Sequence, residues 1–329
     1  MKSAGLAVAV VVALVAPVIA QDDQAALAKK RDDKLAQPWV KAGGWIADFD
    51  KAVSEARKSG KPILAYFTLT ASAAPYCQKV ESSVFSDPKF AEMGKSYVLF
   101  LHITSGVKKD KNQDLAKKRG GDGFPYTVWL DTDGNLLCGT DNWTFQNQRG
   151  VVGLDQTGKR VAWYLDVKKK AAGGGNPEKI DLLLADVELG RTKLADAEKR
   201  LANLGALTDD QKTLLEGLRV KDEVRPTIDP FIQKGASDND QIDAGKKFLA
   251  IKKAGRPAPP FAPYYEFYWR CILVDAQKEK DAAAFEEALK ALKARFGDDR
   301  GSSLYYHFGT VTWKAYFERQ DGVLAELKK

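Results

Sequence analysis

Cysteine is the residue type in this chain best suited to covalent chemistry, and it occurs three times, at Cys77, Cys138 and Cys271. A thiolate is a nucleophile, and two thiols brought together form a redox couple. No Cys-x-x-Cys is present, and the only histidines are His102 and His307, both on apolar stretches. Zinc ligation and Ser/His/Asp chemistry are therefore not supported, and each histidine reads as a packing residue. An odd cysteine count leaves at least one thiol unpaired within the chain.

Cys77 is the candidate catalytic thiol. Pro75 stands where a helix begins, since a proline at the first helical position loses no hydrogen bond, so Cys77 falls in the first turn. There the helix dipole and the free N–H groups favour the thiolate. Lys79 follows closely in sequence, yet two residues of helix point it roughly 200° away from Cys77. The competing reading of Cys77 is an inert, half-buried thiol. Cys138 falls mid-strand and Cys271 on a helix, where a lone cysteine acts as a small hydrophobe.

The elements that would position Cys77 are legible from periodicity. Trp45, Phe49, Ala52, Val53 and Ala56 recur at helical spacing up to Gly60. Ile63 to Phe67 then reads as a buried strand, and a helix from Pro75 carries Val80, Val84 and Phe85 inward before Ser86-Asp87-Pro88 breaks it. Tyr97 to Ile103 reads as the next strand and Asp110 to Arg119 as a charged helix. Tyr126 to Leu130 and Leu136 to Thr140 form a hairpin around Asp131-Thr132-Asp133-Gly134. That turn also explains the aspartates, which lack the bidentate Glu of a calcium loop. This order predicts an α/β domain with a mixed central sheet, one parallel pairing first and an antiparallel pair last, and helices on both faces.

The chain from Trp45 to Thr140 resembles the thioredoxin superfamily, in particular its exported thioredoxin-like domains. The resemblance is carried by Lys61-Pro62-Ile63-Leu64-Ala65-Tyr66-Phe67, Pro75-Tyr76-Cys77-Gln78-Lys79-Val80-Glu81, Val84-Phe85-Ser86-Asp87-Pro88 and Gly123-Phe124-Pro125-Tyr126-Thr127-Val128-Trp129-Leu130-Asp131. It implies that Pro125 is the cis proline beside the active site, and that Phe124, Pro125 and Cys77 form one surface with Ala74, Pro75 and Tyr76. Two departures follow. The redox motif of active members here reads Ala74-Pro75-Tyr76-Cys77, so the attacking thiol is replaced by alanine and Cys77 takes the resolving position. Tyr66 stands where many active members carry a buried proton-relaying aspartate, and a buried tyrosine is no base at neutral pH. The resemblance thus implies a fold without dithiol chemistry, acting as a protein- or peptide-binding module. The alternative is a monothiol oxidoreductase or isomerase-like enzyme using Cys77.

Beyond Thr140 the pattern turns helical. Gly150 to Asp166 reads either as an extra hairpin or as an irregular lead-in to a helix, and Ala171 to Pro177 as a linker. Ile180 to Leu204 traces one long helix, Thr208 with Gln211 caps the next, and further helices follow from Asp240, Tyr264 and Ala282. Tyr264-Tyr265-Glu266-Phe267 and Tyr305-Tyr306-His307-Phe308 share a Tyr-Tyr-x-Phe pattern 41 positions apart. A tetratricopeptide-like array has a comparable period, although a helical domain whose aromatics fill its own core explains them more simply. If those aromatics were exposed, they would instead mark a partner groove.

Composition bounds the rest. With 44% apolar and 29% charged residues in 329, the chain can fill two cores. Lys and Arg number 51 against 44 Asp and Glu, an excess of +7 spread along the chain rather than concentrated as phosphate binding requires, so nucleic acid is not an expected partner. Lys2 and the apolar run Ala4 to Ala20 read as a cleavable secretory signal with cleavage after Ala20, too short to persist as a membrane anchor. The expected organisation is a signal at 1–20, a polar leader at 21–44, a thioredoxin-like domain at 45–166, a linker at 167–179 and a helical domain at 180–329. The mature protein is expected to be periplasmic or secreted. No metal or cofactor is expected, and the oligomeric state is left open.

Overall fold

The computed structural model describes residues 16–70, 74–139, 150–297, 303–306 and 309–329. Most of the expected signal, the segment around Thr140 and the pair His307-Phe308 lie outside the described residues. The sheet domain contains α1 (Ala16–Leu35), α2 (Pro38–Gly43), α3 (Phe49–Ser59), β1 (Ile63–Leu69), α4 (Pro75–Val80) with a π turn at Glu81–Phe85, α5 (Pro88–Gly94), β2 (Val98–Thr104), α6 (Leu115–Lys118), β3 (Tyr126–Leu130), β4 (Leu136–Gly139) and α7 (Gly150–Gly173). The strand order is β2-β1-β3-β4, with β1 parallel to β2 and both other pairings antiparallel. This is the mixed sheet expected from the alternation of periods.

The sheet separates two apolar layers, because successive side chains of a strand point to opposite faces. Ile63, Ala65 and Phe67 face α3 and pack with Ala52, Val53, Phe100 and Val128. Leu64 and Tyr66 face the other way, with Trp39, Trp45, Phe85, Phe90 and Trp129. Helix α3 begins later than periodicity predicts, since Asp48 accepts a hydrogen bond from the Lys51 amide and caps it there. Trp45 lies outside the helix and stacks on Phe90 at 5.6 Å, while Ile46 pairs with the outer edge of β2 through Leu99 and Leu101. That pairing covers part of an otherwise open strand edge.

Two expected boundaries shift. The leader is helical, and Trp39 and Val40 of α2 are buried in the sheet domain's core. Its polar composition concealed this, since Trp39 and Val40, with Leu35 partly packed beside them, are a small share of its residues. The stretch after residue 150 is one long helix, α7, rather than a hairpin, and it runs through the expected linker as far as Gly173. Its contact with the sheet depends on Gly158, where a Cβ would lie 2.3 Å from Tyr97 Oη and 2.8 Å from the Trp129 ring. Gly158, which looked like a breaker, is thus a means of close approach.

The helical domain continues with α8 (Asn176–Glu188), α9 (Leu194–Leu201), α10 (Asp209–Lys234), α11 (Asp238–Lys253), α12 (Tyr264–Lys278) and α13 (Ala282–Phe296). A hairpin of β5 (Ser303–Tyr306) and β6 (Gly309–Thr312) follows, then α14 (Trp313–Leu327). Thr208 and Gln211 form the expected capping box of α10. The expected single helix from Ile180 to Leu204 is broken at Gly190, which adopts φ +74°. The two Tyr-Tyr-x-Phe copies occupy different elements, a helix at Tyr264 and a strand ending at Tyr306, so they are not equivalent units of a repeat. Tyr268, Trp269, Trp313, Tyr316 and Phe317 are buried together in this domain's own core. These five rings do not form an exposed groove. No helix among the described residues is long and apolar enough to cross a membrane.

Candidate functional site around Cys77

Pro75 opens α4 as expected, and Ala74 at the N-cap contributes no side-chain hydrogen bond. Pro75 and Tyr76 are exposed, Tyr76 at 72%, whereas Cys77 is only 1% exposed. Successive helical side chains are turned by about 100°, so the surface presents a tyrosine while the thiol faces inward. Cys77, Cys138 and Cys271 are all present as thiols.

Sequence reasoning overlooked Glu81. It lies four residues after Cys77, on the same helical face, at the start of the π turn, and it is buried. Its Oε1 accepts hydrogen bonds from Tyr66 Oη at 2.9 Å and Thr68 Oγ1 at 3.0 Å, and pairs with Lys34 Nζ at 2.8 Å. Lys34 Nζ also donates to Thr68 Oγ1 at 3.0 Å and to the Leu69 carbonyl at 2.7 Å. Burial, followed by the neighbouring Glu81 and Cys77, raises the Tyr66 pKa well above its ordinary value, so the phenol stays protonated and donates. Tyr66 thus places a neutral hydroxyl donor on β1, while Glu81 supplies a carboxylate from the helix. The available signal was a lone Glu in a helix that otherwise turns apolar residues inward. Its cation came from the leader, which sequence reasoning had left outside the domain.

The Phe124–Pro125 peptide bond is cis. Phe124 is half-buried and packs against the α3-side layer. What remains at the surface is Pro75, Tyr76 and part of Ala74, with Pro125 half-buried.

The other candidates have structural roles. His102 is buried on β2 with its ring 5.5 Å from Phe67, and burial lowers its pKa against the opposing pull of Asn112, Asp110 and Asp114. Burial pushes the Cys271 thiol up to about 12. Asp131 accepts from the amides of Asp133 at 3.0 Å and Asn135 at 2.9 Å and from Lys168 Nζ at 3.3 Å. Burial alone would raise its pKa, but these bonds outweigh it and lower it. No cluster of potential metal ligands occurs among the described residues.

With this geometry in place, residues 49–140 match the model of a thioredoxin-like domain. They form a thioredoxin-like domain followed by a large region that is helical apart from the β5–β6 hairpin. Among solved structures, a DsbH oxidoreductase aligns with 20% identity over 29% of this chain and 69% of that one, with a TM-score of 0.26. A thioredoxin from Thermus thermophilus aligns with 26% identity over 26% of this chain and 62% of that one, with a TM-score of 0.22. Comparison with curated proteins yields no match.

Proposed function

We propose that the protein is an exported thioredoxin-fold module without dithiol redox activity, which binds a protein or peptide and is joined to a helical interaction domain. The observation that carries this reading is Ala74 at the attacking position above a Cys77 thiol that is 1% exposed. A thiol that cannot be approached does not exchange with a substrate disulfide, since exchange requires in-line access to sulfur. The exposed tip of Pro75 and Tyr76 offers a rigid aromatic contact of the kind enriched at protein interfaces. The apolar run from Ala4 to Ala20 supports export.

The test is alkylation of Cys77 in the mature protein across pH, with Cys77→Ser as the control. Protection of Cys77 until the protein unfolds is the expected result. Rapid alkylation of the folded protein, together with mixed disulfides lost in Cys77→Ser, would establish the monothiol enzyme instead.

A further inference from the structure

We propose that the cleft between the sheet domain and the helical domain binds a small organic anion. The cleft encloses about 690 Å³, within the range of about 300–1,000 Å³ typical of small-molecule sites, and junctions between domains are where such sites concentrate. Its walls come from the end of β4 at Cys138, from α7 at Arg160, from the α8–α9 turn at Lys193, and from α10 at Lys221 and Arg225. The ionisable lining is thus four cations against two carboxylates, Glu188 and Asp222.

The excess is built into the buried part of the wall. The Glu188 side chain is 1% exposed and takes Arg160 Nη2 at 2.6 Å and Lys221 Nζ at 2.9 Å, so one carboxylate serves two cations. The same two side chains also donate to the Glu188 carbonyl, at 3.0 Å and 2.9 Å. Arg160 Nε is buried with no hydrogen-bond partner. Withdrawing a net positive triad from water is costly unless an anion completes it. Burial lowers the Lys221 pKa, with Glu188 opposing and Arg160 adding to the effect, as expected for a cation short of negative charge.

Nearer the mouth, Asp222 is matched by Arg225 at 3.2 Å, and Lys193 is exposed. Lys193 is also the N-cap of α9 and gives no side-chain acceptor to that helix's first amides, and Leu194 and Ala195 line the cleft. Cationic side chains and a helix N-terminus around one cavity favour carboxylate or phosphoryl oxygens. The inference does not depend on the role of Cys77.

The experiment uses Cys138 as a reporter, since it lines the cleft and is half-buried while Cys77 and Cys271 are almost fully buried. Alkylation of Cys138 in the full chain is followed with citrate, with inorganic pyrophosphate, and with sodium chloride at equal ionic strength. Occupancy at about ten times Kd slows alkylation about tenfold relative to chloride. Protection by citrate alone identifies a carboxylate ligand, and protection by pyrophosphate alone a phosphoryl ligand. The double variant Lys193→Gln/Arg225→Gln leaves the Glu188 triad intact and should weaken binding about tenfold, so that the same concentration slows alkylation only about twofold. The control Lys95→Gln, on the exposed sheet domain, should leave it unchanged. No protection beyond chloride, or equal protection in the double variant, overturns the proposal.

Discussion

Lys34 and Glu81 form a buried ion pair of 2.8 Å that ties the leader helix to the element carrying Cys77. Their side chains are 10% and 9% exposed, and Tyr66 and Thr68 complete the coordination of the carboxylate. Such a pair adds little net stability over an apolar replacement, yet breaking it from one side strands a buried charge. The leader is thus an integral part of the site's support.

Lys34→Met should therefore lower unfolding free energy by about 3–5 kcal/mol, whereas Lys34→Met/Glu81→Gln should lose clearly less. Denaturant midpoints of the single and double variants at unchanged m-value check this. Equal losses would mean that the two side chains do not act as a pair.

Gly158 is the second structural dependence. Its missing Cβ is what lets α7 reach Tyr97 and Trp129. Gly158→Ala gains helix propensity of about 1 kcal/mol but overpacks the contact at a cost of about 1–3 kcal/mol, so a net loss is expected. Thermal unfolding decides the sign, and a stabilised variant would show that the helix can retreat from the sheet without penalty.

The legible part of the fold was its regular periodicity. Strands Ile63–Leu69 and Val98–Thr104 are buried on both faces and read as apolar runs, and the Asp-Gly turn announced the hairpin. Helix α7 was left open between a hairpin and a lead-in to a helix because Gly158 serves tertiary contact, a property no local pattern encodes. At the candidate site, the helix start at Pro75 could be read directly. The buried carboxylate could not, because Lys34 and Glu81 are 47 positions apart and only the fold brings them together.

His102 provides a pH dependence with a defined sign. Its folded pKa is lowered by burial, so the unfolded chain binds more protons as pH falls below the ordinary value of 6.5. Stability is fully present above about pH 6.5 and declines as pH drops through that value toward the folded pKa. Urea midpoints between pH 7.5 and pH 5, at about half-unit steps, should fall more steeply in the native protein than in His102→Phe. Identical slopes would remove His102 as the cause.

Restoring the missing thiol tests what the scaffold has kept. In Ala74→Cys the new thiol sits at the N-cap of α4, one turn before Cys77, in the order of a Cys-x-x-Cys motif. The expected outcome is an intrachain disulfide after oxidation, read as two thiols titrating in the denatured variant, which has one cysteine more than the native three. Reduction of a substrate disulfide should remain slow, because Cys77 is buried. Full turnover from Ala74→Cys alone would place the whole loss at residue 74.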